Sequence, residues 1–231
     1  MGDVKVISLG GSIVAPKEVD TGFIRSFAEG IRRYCGEEKD RRLIFVIGGG
    51  GPARAYQQAY REIVDDPDSN DQDWIGIAAT RINAALIRAV FSDLCHQEVV
   101  IDPTEVHQFV GTIMVAAGWK PGFSTDYDAV ILAERFGAEV VINLSNIAKV
   151  YTADPKTDPQ ATPIDSISWA DFRKLVGDEW VPGKNSPFDP VASKRAAELG
   201  LKVICADGKD LKNLDAILRE ESFVGTVIGP N

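Results

Sequence analysis

The chain has 231 residues, 45% of them apolar, and a formal net charge of −9. The length suits one large α/β domain or two small ones, with apolar residues enough for a substantial core. The negative charge argues against nucleic-acid and anionic-membrane partners, whose phosphates it would repel, while leaving room for one nucleotide held by local amides.

The three cysteines, Cys35, Cys95 and Cys205, are scattered and form no CxxC pair. They are expected to be reduced thiols in a cytoplasmic protein. No signal peptide is expected at "MGDVKVISLGG", and Val6 argues against N-myristoylation. No apolar run approaches the roughly 18 residues of a membrane span.

In chain order, Val4–Leu9 reads as a strand cut by Gly10–Gly11, and Thr21–Tyr34 has helical spacing. Leu43–Ile47 is a β-branched strand, followed by a helix over Pro52–Val64 with proline near its first turn. Asp65–Asp73 reads as an acidic loop and Trp74–Leu94 as a long helix. Short strands are predicted at Glu98–Ile101 and Ile113–Ala117, a helix at Thr125–Phe136 and a strand at Val140–Leu144. The texture then changes to a proline-rich loop and hairpin, a helix near Trp169–Val176 and the irregular "GDEWVPGKNSPFDP". Helix Pro190–Leu199, strand Lys202–Cys205, helix Leu211–Glu220 and strand Gly225–Ile228 close the chain. Alternating strands and helices predict a three-layer α/β/α sandwich around a mainly parallel sheet, with ligands beyond the carboxyl ends of its strands.

Two strands end in glycine: "SLGGS" over Ser8–Ser12 and "IGGGG" over Ile47–Gly51, the second opening a helix. Glycine lets backbone approach an anion, and a helix N-terminus supplies amides and a positive dipole end. Either turn alone also fits a tight turn with no ligand; two at adjacent strand ends point to two phosphate-bearing substrates. The Walker A pattern is absent. Gly48, Gly50 and Ala53 match the dinucleotide fingerprint, but the acidic residue expected about 20 positions on, at the end of a following strand, is not there. Arg54 in the first helical turn can reach the same anion or remain a solvated surface arginine. "GWKPGFSTDYDA" opens another helix, with Ser124 or Thr125 as its cap and Asp126 and Asp128 at its positive end. Its amides, hydroxyls, Lys120 and Trp119 could hold a nucleoside monophosphate. In "NLSNIAKVYTADPKTDP", Tyr151 could cover an adenine ring, with Ser145 and Asn146 as polar contacts; a plain hairpin with an Asp-Pro turn is the alternative.

"GGS", "GGGxxAR", "PGxxTD" and "NxxxVYTADPxxDP", in this order and at these intervals, resemble the amino acid kinase superfamily, and within it the archaeal-type UMP kinases. The likeness runs from Val4 to Pro230 and includes "FDPVASKRA" and the closing "GTVIGP". It implies a single carbamate kinase-like domain over residues 1–231 with an acceptor lobe to about 144 and an ATP lobe from about 145. It also implies transfer of the ATP γ-phosphoryl group to UMP with Mg²⁺, and a homohexamer. By this resemblance, Ser8, Leu9, Gly10, Gly11 and Ser12 face the ATP phosphates with Gly50 and Arg54, while Ser145, Asn146, Tyr151 and Asp154 contact ATP. Gly49 meets the UMP phosphate and Asp73 its ribose; Gly118, Trp119, Lys120, Pro121, Gly122, Phe123, Ser124 and Thr125 wrap base and phosphate. Gly11, Ser12, Asp189 and Lys184 are the catalytic candidates, Asp189 also fitting a helix cap and Lys184 an exposed loop.

Three departures stand out. Ser8 replaces a lysine common in the superfamily, as it does in the archaeal type, and leaves the main cation unassigned. Ala148–Lys149 replace the usual Asp–Gly, so Lys149 is a candidate to compensate by charge. Trp119–Lys120 replace Thr–His where base recognition is expected. A kinase of another small acceptor, and a nucleotide-binding storage or scaffold protein like the molybdenum storage subunits, remain as alternatives. The isopentenyl phosphate kinases carry a histidine after the glycine run, and here the next histidine is His96.

Overall fold

The computed structural model describes residues 3–155, 157–177 and 186–229. In chain order its elements are β1 Val4–Leu9, α1 Gly11–Val14, α2 Thr21–Glu37, β2 Arg42–Ile47, α3 Gly50–Ile63, α4 Ser69–Val90 and β3 Ile113–Ala116. There follow α5 Thr125–Phe136, β4 Val140–Ser145, β5 Val150–Tyr151, β6 Pro163–Ile164, β7 Ser166–Ser168, α6 Trp169–Val176, α7 Pro190–Glu198, β8 Lys202–Asp207, α8 Leu211–Leu218 and β9 Thr226–Gly229.

Seven strands form one sheet in the order β3-β2-β1-β4-β8-β9-β7. Every pair is parallel except β8–β9. All six residues of β1 are buried, as a central strand covered on both faces requires. Ile7 and Leu9 pack under α2, α4 and α8; Val4 and Val6 pack against α5, α6 and α7. Strands from both halves of the chain therefore share one sheet between two apolar layers. The order reverses at β1, whose neighbours are β2 and β4, so a crevice opens beyond their carboxyl ends.

Two expectations fail locally. Glu98–Ile101 is not a strand: Val100 makes an isolated bridge to Ala116. The chain turns away at once, because Asp102 accepts hydrogen bonds from the Thr104 amide and hydroxyl around Pro103. The acidic loop is also shorter than expected. Asp68 accepts from the Asn70 and Asp71 amides and starts α4 at Ser69, so its acidity is that of a helix cap. Among the described residues no helix is long and apolar enough to cross a membrane, and the three cysteines are free and buried. Burial pushes the thiols of Cys35 and Cys205 up to about 11 and about 12.

Candidate active site

The two glycine turns lie back to back. The Gly48 amide donates to the Leu9 carbonyl at 3.0 Å, and the Gly51 amide to that of Ala15 at 2.8 Å. A Cβ on Gly11 would fall 2.1 Å from the Gly50 nitrogen, and Gly50 itself has φ +64°. These glycines therefore serve first to let one turn lie on the other; their value to an anion follows from that packing. From α4, the buried Asn83 side chain donates to the carbonyls of Gly48 at 2.9 Å and Gly49 at 3.1 Å. Gly49 caps α3 with no side-chain hydrogen bond, and no acidic residue occupies the first turn. The positive end of this fourteen-residue helix thus faces the crevice with no carboxylate in its own first turn to neutralise it.

A cavity of about 300 Å³ opens there. Gly49, Gly50, Ala53, Arg54 and Gln57 come from α3 and its cap; Asp73, Gly76, Ile77 and Thr80 come from α4; Gly118, Gly122, Phe123, Ser124 and Thr125 close it. The closing loop is tied to α4. The Gly118 amide donates to Thr80 Oγ1 at 2.8 Å, the Gly122 amide to Asp73 Oδ2 at 2.9 Å, and Arg81 to the Trp119 carbonyl at 3.2 Å. Arg54 donates to the Pro16 carbonyl at 3.1 Å at the rim.

Beside the glycine turns, Ser8 Oγ donates to Asp126 Oδ1 at 2.9 Å, and the Asp189 amide donates to Asp126 Oδ2 at 3.2 Å. Burial, reinforced by the Asp189 charge, pushes the Asp126 carboxyl up to about 6. Asp189 is also raised, by burial, although it caps α7 through the Ala192 amide at 2.7 Å. The Asp189 carboxylate is turned to its own helix, but its charge still acts on Asp126 at the tip of β1. In α5, Asp128 is fully buried and pushed up to about 7, chiefly by burial. Among the described residues three buried side-chain atoms lack a hydrogen-bond partner: Arg81 Nε, Asp128 Oδ1 and Ser145 Oγ. All three belong to residues at this end of the sheet or in the elements that carry the closing loop.

The structure gathers Ser8, Gly10, Gly11 and Ser12 with Gly49 and Gly50 at the crevice floor. The Leu9 side chain is core. Gly50 and Arg54, expected on the ATP side, line the cavity shared with Asp73. Trp119, Lys120 and Pro121 stand behind that lining: Lys120 Nζ lies 3.8 Å from the Trp119 ring centroid, and the Trp119 and Phe123 centroids are 5.0 Å apart. Ser145 ends β4 beside Gly10, whose amide bonds the Leu144 carbonyl at 2.9 Å. Tyr151 pairs with Pro163 in a hairpin, and Asp154 and Asn146 are exposed nearby in the chain. Lys149 is turned to Asp165 in an ion pair; the compensating charge expected of it is engaged there. Lys184 lies outside the described residues.

Sequence reading left Asp126, Gln57, Thr80 and Asn83 out of the site. The signal for the last two was present: Asp73, Thr80 and Asn83 are polar residues at helical intervals along an otherwise apolar inner face.

The sequence profile of the amino acid kinase family matches residues 3–207. The chain belongs to the amino acid kinase family. Among its relatives, the uridylate kinase of Methanospirillum hungatei is 35% identical over 229 residues, covering 98% of this chain and 94% of that protein. The crystal structure of uridylate kinase from Archaeoglobus fulgidus matches with a TM-score of 0.83 at 32% identity, over 99% of this chain and 100% of that one. A UMP kinase from Bacillus anthracis, 20% identical, shares the fold with a TM-score of 0.77 over 99% and 96% of the two chains. Within this family fold, the crevice at β1, β2 and β4 is the place where strand ends, helix N-terminus and paired acids converge.

Proposed function

We propose that the chain is a UMP kinase, moving the γ-phosphoryl group of ATP to UMP to give UDP and ADP. One observation carries the reading: the cavity between α3, α4 and the loop before α5 opens onto the joined glycine turns, in a chain aligned over nearly its whole length with uridylate kinases. The lobe up to about residue 144 holds the acceptor and lends the Ser8–Ser12 turn to the donor, and the lobe from about 145 holds the rest of the donor, the two meeting over β1 and β4. UMP enters with its phosphate toward Gly49 and Arg54 and its ribose toward Asp73. The Phe123 face is left for the base. ATP lies across Ser8–Ser12 toward Ser145, whose unpartnered hydroxyl suits a polar ligand atom.

In the reaction an oxygen of the UMP phosphate bonds to the γ-phosphorus while the bond from that phosphorus to the β,γ-bridging oxygen breaks, and the electron pair leaves on ADP. A phosphate monoester, with a second pKa of about 6, is largely deprotonated at neutral pH. No general base is required, and the protein acts by positioning and charge stabilisation. Asp126 orients Ser8 and receives the Asp189 amide, fixing the tip of β1 against α7.

Mg²⁺ fits these residues. Mg²⁺ commonly takes one or two carboxylates plus phosphate oxygens, and Asp126, met only by the Ser8 hydroxyl and the Asp189 amide and with the Asp189 charge nearby, offers a carboxylate that no cationic side chain pairs with among the described residues. Asp126 and Asp189 would hold it. Bound there, it supplies charge neutralisation between the phosphates.

The storage alternative has no observation in its favour. The replacements that prompted it stand away from the cavity lining: Trp119 and Lys120 lie behind it, and Lys149 pairs with Asp165. An assay of ADP release with UMP, CMP, isopentenyl phosphate and carbamate tests the reading. UMP is expected to be preferred and Mg²⁺ required; ATP binding without turnover on any acceptor would overturn it.

We also infer a homo-oligomer, a hexamer by family resemblance, with a second copy docked on the outer faces of α3 and α4. Tyr56, Ile63 and Ile82 are 71%, 80% and 68% exposed. Trp74, Ala78, Ile82, Ala85, Leu86 and Ala89 make an uncharged stripe along α4. A chain of charge −9 repels its own copies least through such a face. The free buried cysteines support a cytoplasmic setting.

A further inference from the structure

Asp128 sits one turn into α5, where its neighbours Ala129, Val130, Leu132 and Ala133 are apolar core. It is fully buried. Its Oδ2 accepts the Trp119 amide at 3.2 Å, and its Oδ1 has no partner. The charges of Asp126, on its own helix, and of Asp102, from the segment before β3, act against it. A buried carboxylate with an orphan oxygen near two other acids is destabilising. An apolar residue would serve the packing of α5 better, so the carboxylate does something that packing does not require.

What it does is hold Trp119. The backbone of that residue is gripped from both sides, its N–H by Asp128 and its carbonyl by Arg81. Two further backbone ties of the loop, Gly118 to Thr80 and Gly122 to Asp73, run to α4, while the Trp119 side chain meets Asp102. Asp128 is therefore the counterweight on the α5 side. The consequence reaches the cavity through rings. Trp119 packs on Phe123 with centroids 5.0 Å apart, and Phe123 on Tyr127 at 4.7 Å. Phe123 is the one aromatic residue lining the cavity among the described residues.

We infer that Asp128 is a positioning residue for acceptor binding: by fixing the Trp119 backbone it sets the Phe123 wall against which the acceptor's base rests. The inference rests on reading this cavity as the UMP site.

Three variants test it, with KM and kcat measured separately for UMP and ATP. Asp128→Leu fills the space without an acceptor atom; Asp128→Asn keeps an oxygen for the Trp119 amide. The leucine variant is expected to raise the KM for UMP about five-fold or more, the scale of one lost hydrogen bond, with kcat at saturating UMP and the KM for ATP within two-fold of the parent. The asparagine variant is expected to restore the parent's KM for UMP. Should the leucine chain not fold, Asp128→Ala is read in the same way. An unchanged KM for UMP in the leucine or alanine variant overturns the inference. So does an equal rise for ATP, or a rise in the asparagine variant as large as in the others. The parent enzyme separates the two claims: if it turns over UMP and the variants do not differ from it, this inference alone fails; if the parent does not use UMP, the functional reading fails.

Discussion

Gly11→Ala tests whether the two glycine turns are one packed unit. The added Cβ would lie 2.1 Å from the Gly50 nitrogen, 2.5 Å from the Gly48 carbonyl carbon and 2.6 Å from its oxygen. An ordinary carbon contact is about 3.5 Å, so the methyl is short by roughly 1 Å or more on three backbone atoms that cannot swing aside. The turns must separate. Overpacking of this kind destabilises by about 1–3 kcal/mol, and in a chain of this size each kcal/mol moves the Tm by about 2–4 °C. A fall of roughly 2–12 °C is expected on those scales. On the proposed placement of both substrates against these turns, a displacement near 1 Å should also lower kcat/KM by about 100-fold. Gly36→Ala is the control: it lies in α2 with nothing within 4 Å of the added carbon, and its helical preference should stabilise by up to about 1 kcal/mol. Calorimetry gives the Tm and a coupled ADP assay the rates. A Gly11→Ala enzyme with the parent's Tm and kcat/KM would refute the packed-unit account.

Other substitutions separate the roles of the remaining groups. Asp126→Asn should lower kcat by about 100- to 1,000-fold, on the scale of losing one charge-stabilising contact, while UMP affinity measured without ATP stays near the parent's; an active variant would show that the paired acids are not needed. Glu37 is held at about 2, mainly by Arg219 and also by Arg41; a depressed carboxyl stabilises above its unfolded value and loses that contribution as pH falls through the folded value. Glu37→Gln should therefore lower the Tm slightly, by no more than about 4 °C, at pH 7, with the difference shrinking below pH 4 and in high salt; a constant difference across pH would contradict the ion-pair origin. Ile82→Lys places a charge in the uncharged stripe of α4 and should shift the assembly toward smaller species in light scattering, an unchanged mass counting against that face as the contact.

Much of the fold was legible because its signals are local. Val4–Leu9 and Leu43–Ile47 are short apolar runs bounded by glycine, and α5 begins at Thr125 behind a Ser124 cap, where the sequence places it. Misreadings came where one residue type serves two purposes. Asp68 is acidic in a loop-like stretch, yet its oxygen binds two amides and starts a helix. Glu98–Ile101 has strand composition, but Asp102 and Pro103 end the pairing after one bridge. The site was partly legible through the glycines, because only they allow such backbone approach. Asn83 and Thr80 escaped notice because their partners, the carbonyls of Gly48 and Gly49 and the amide of Gly118, lie about 35 residues away in the chain. Nothing in a linear reading states that a helix at 69–90 will buttress turns on two different strands.

The chemistry of the crevice follows from what is missing at β1. With Ser8 rather than a long cation at the strand tip, Asp126 is met by a hydroxyl and a backbone amide, neither of which carries a full charge. Neutral donors do not offset burial, so the carboxyl keeps its proton to higher pH than usual, and the neighbouring Asp189 adds to the effect. Under the proposed function, such carboxylates would repel bare phosphate and favour phosphate that brings its own cation. Discrimination between free and Mg²⁺-bound nucleotide would then be built into the protein's charge, before any contact with base or ribose. In the same proposal the acceptor side works by the opposite logic: the N-terminus of α3, without a side-chain cap, and Arg54 would draw in an anion that carries no metal. On the proposed function, donor and acceptor are sorted electrostatically onto the two sides of β1, with the packed glycine turns between them.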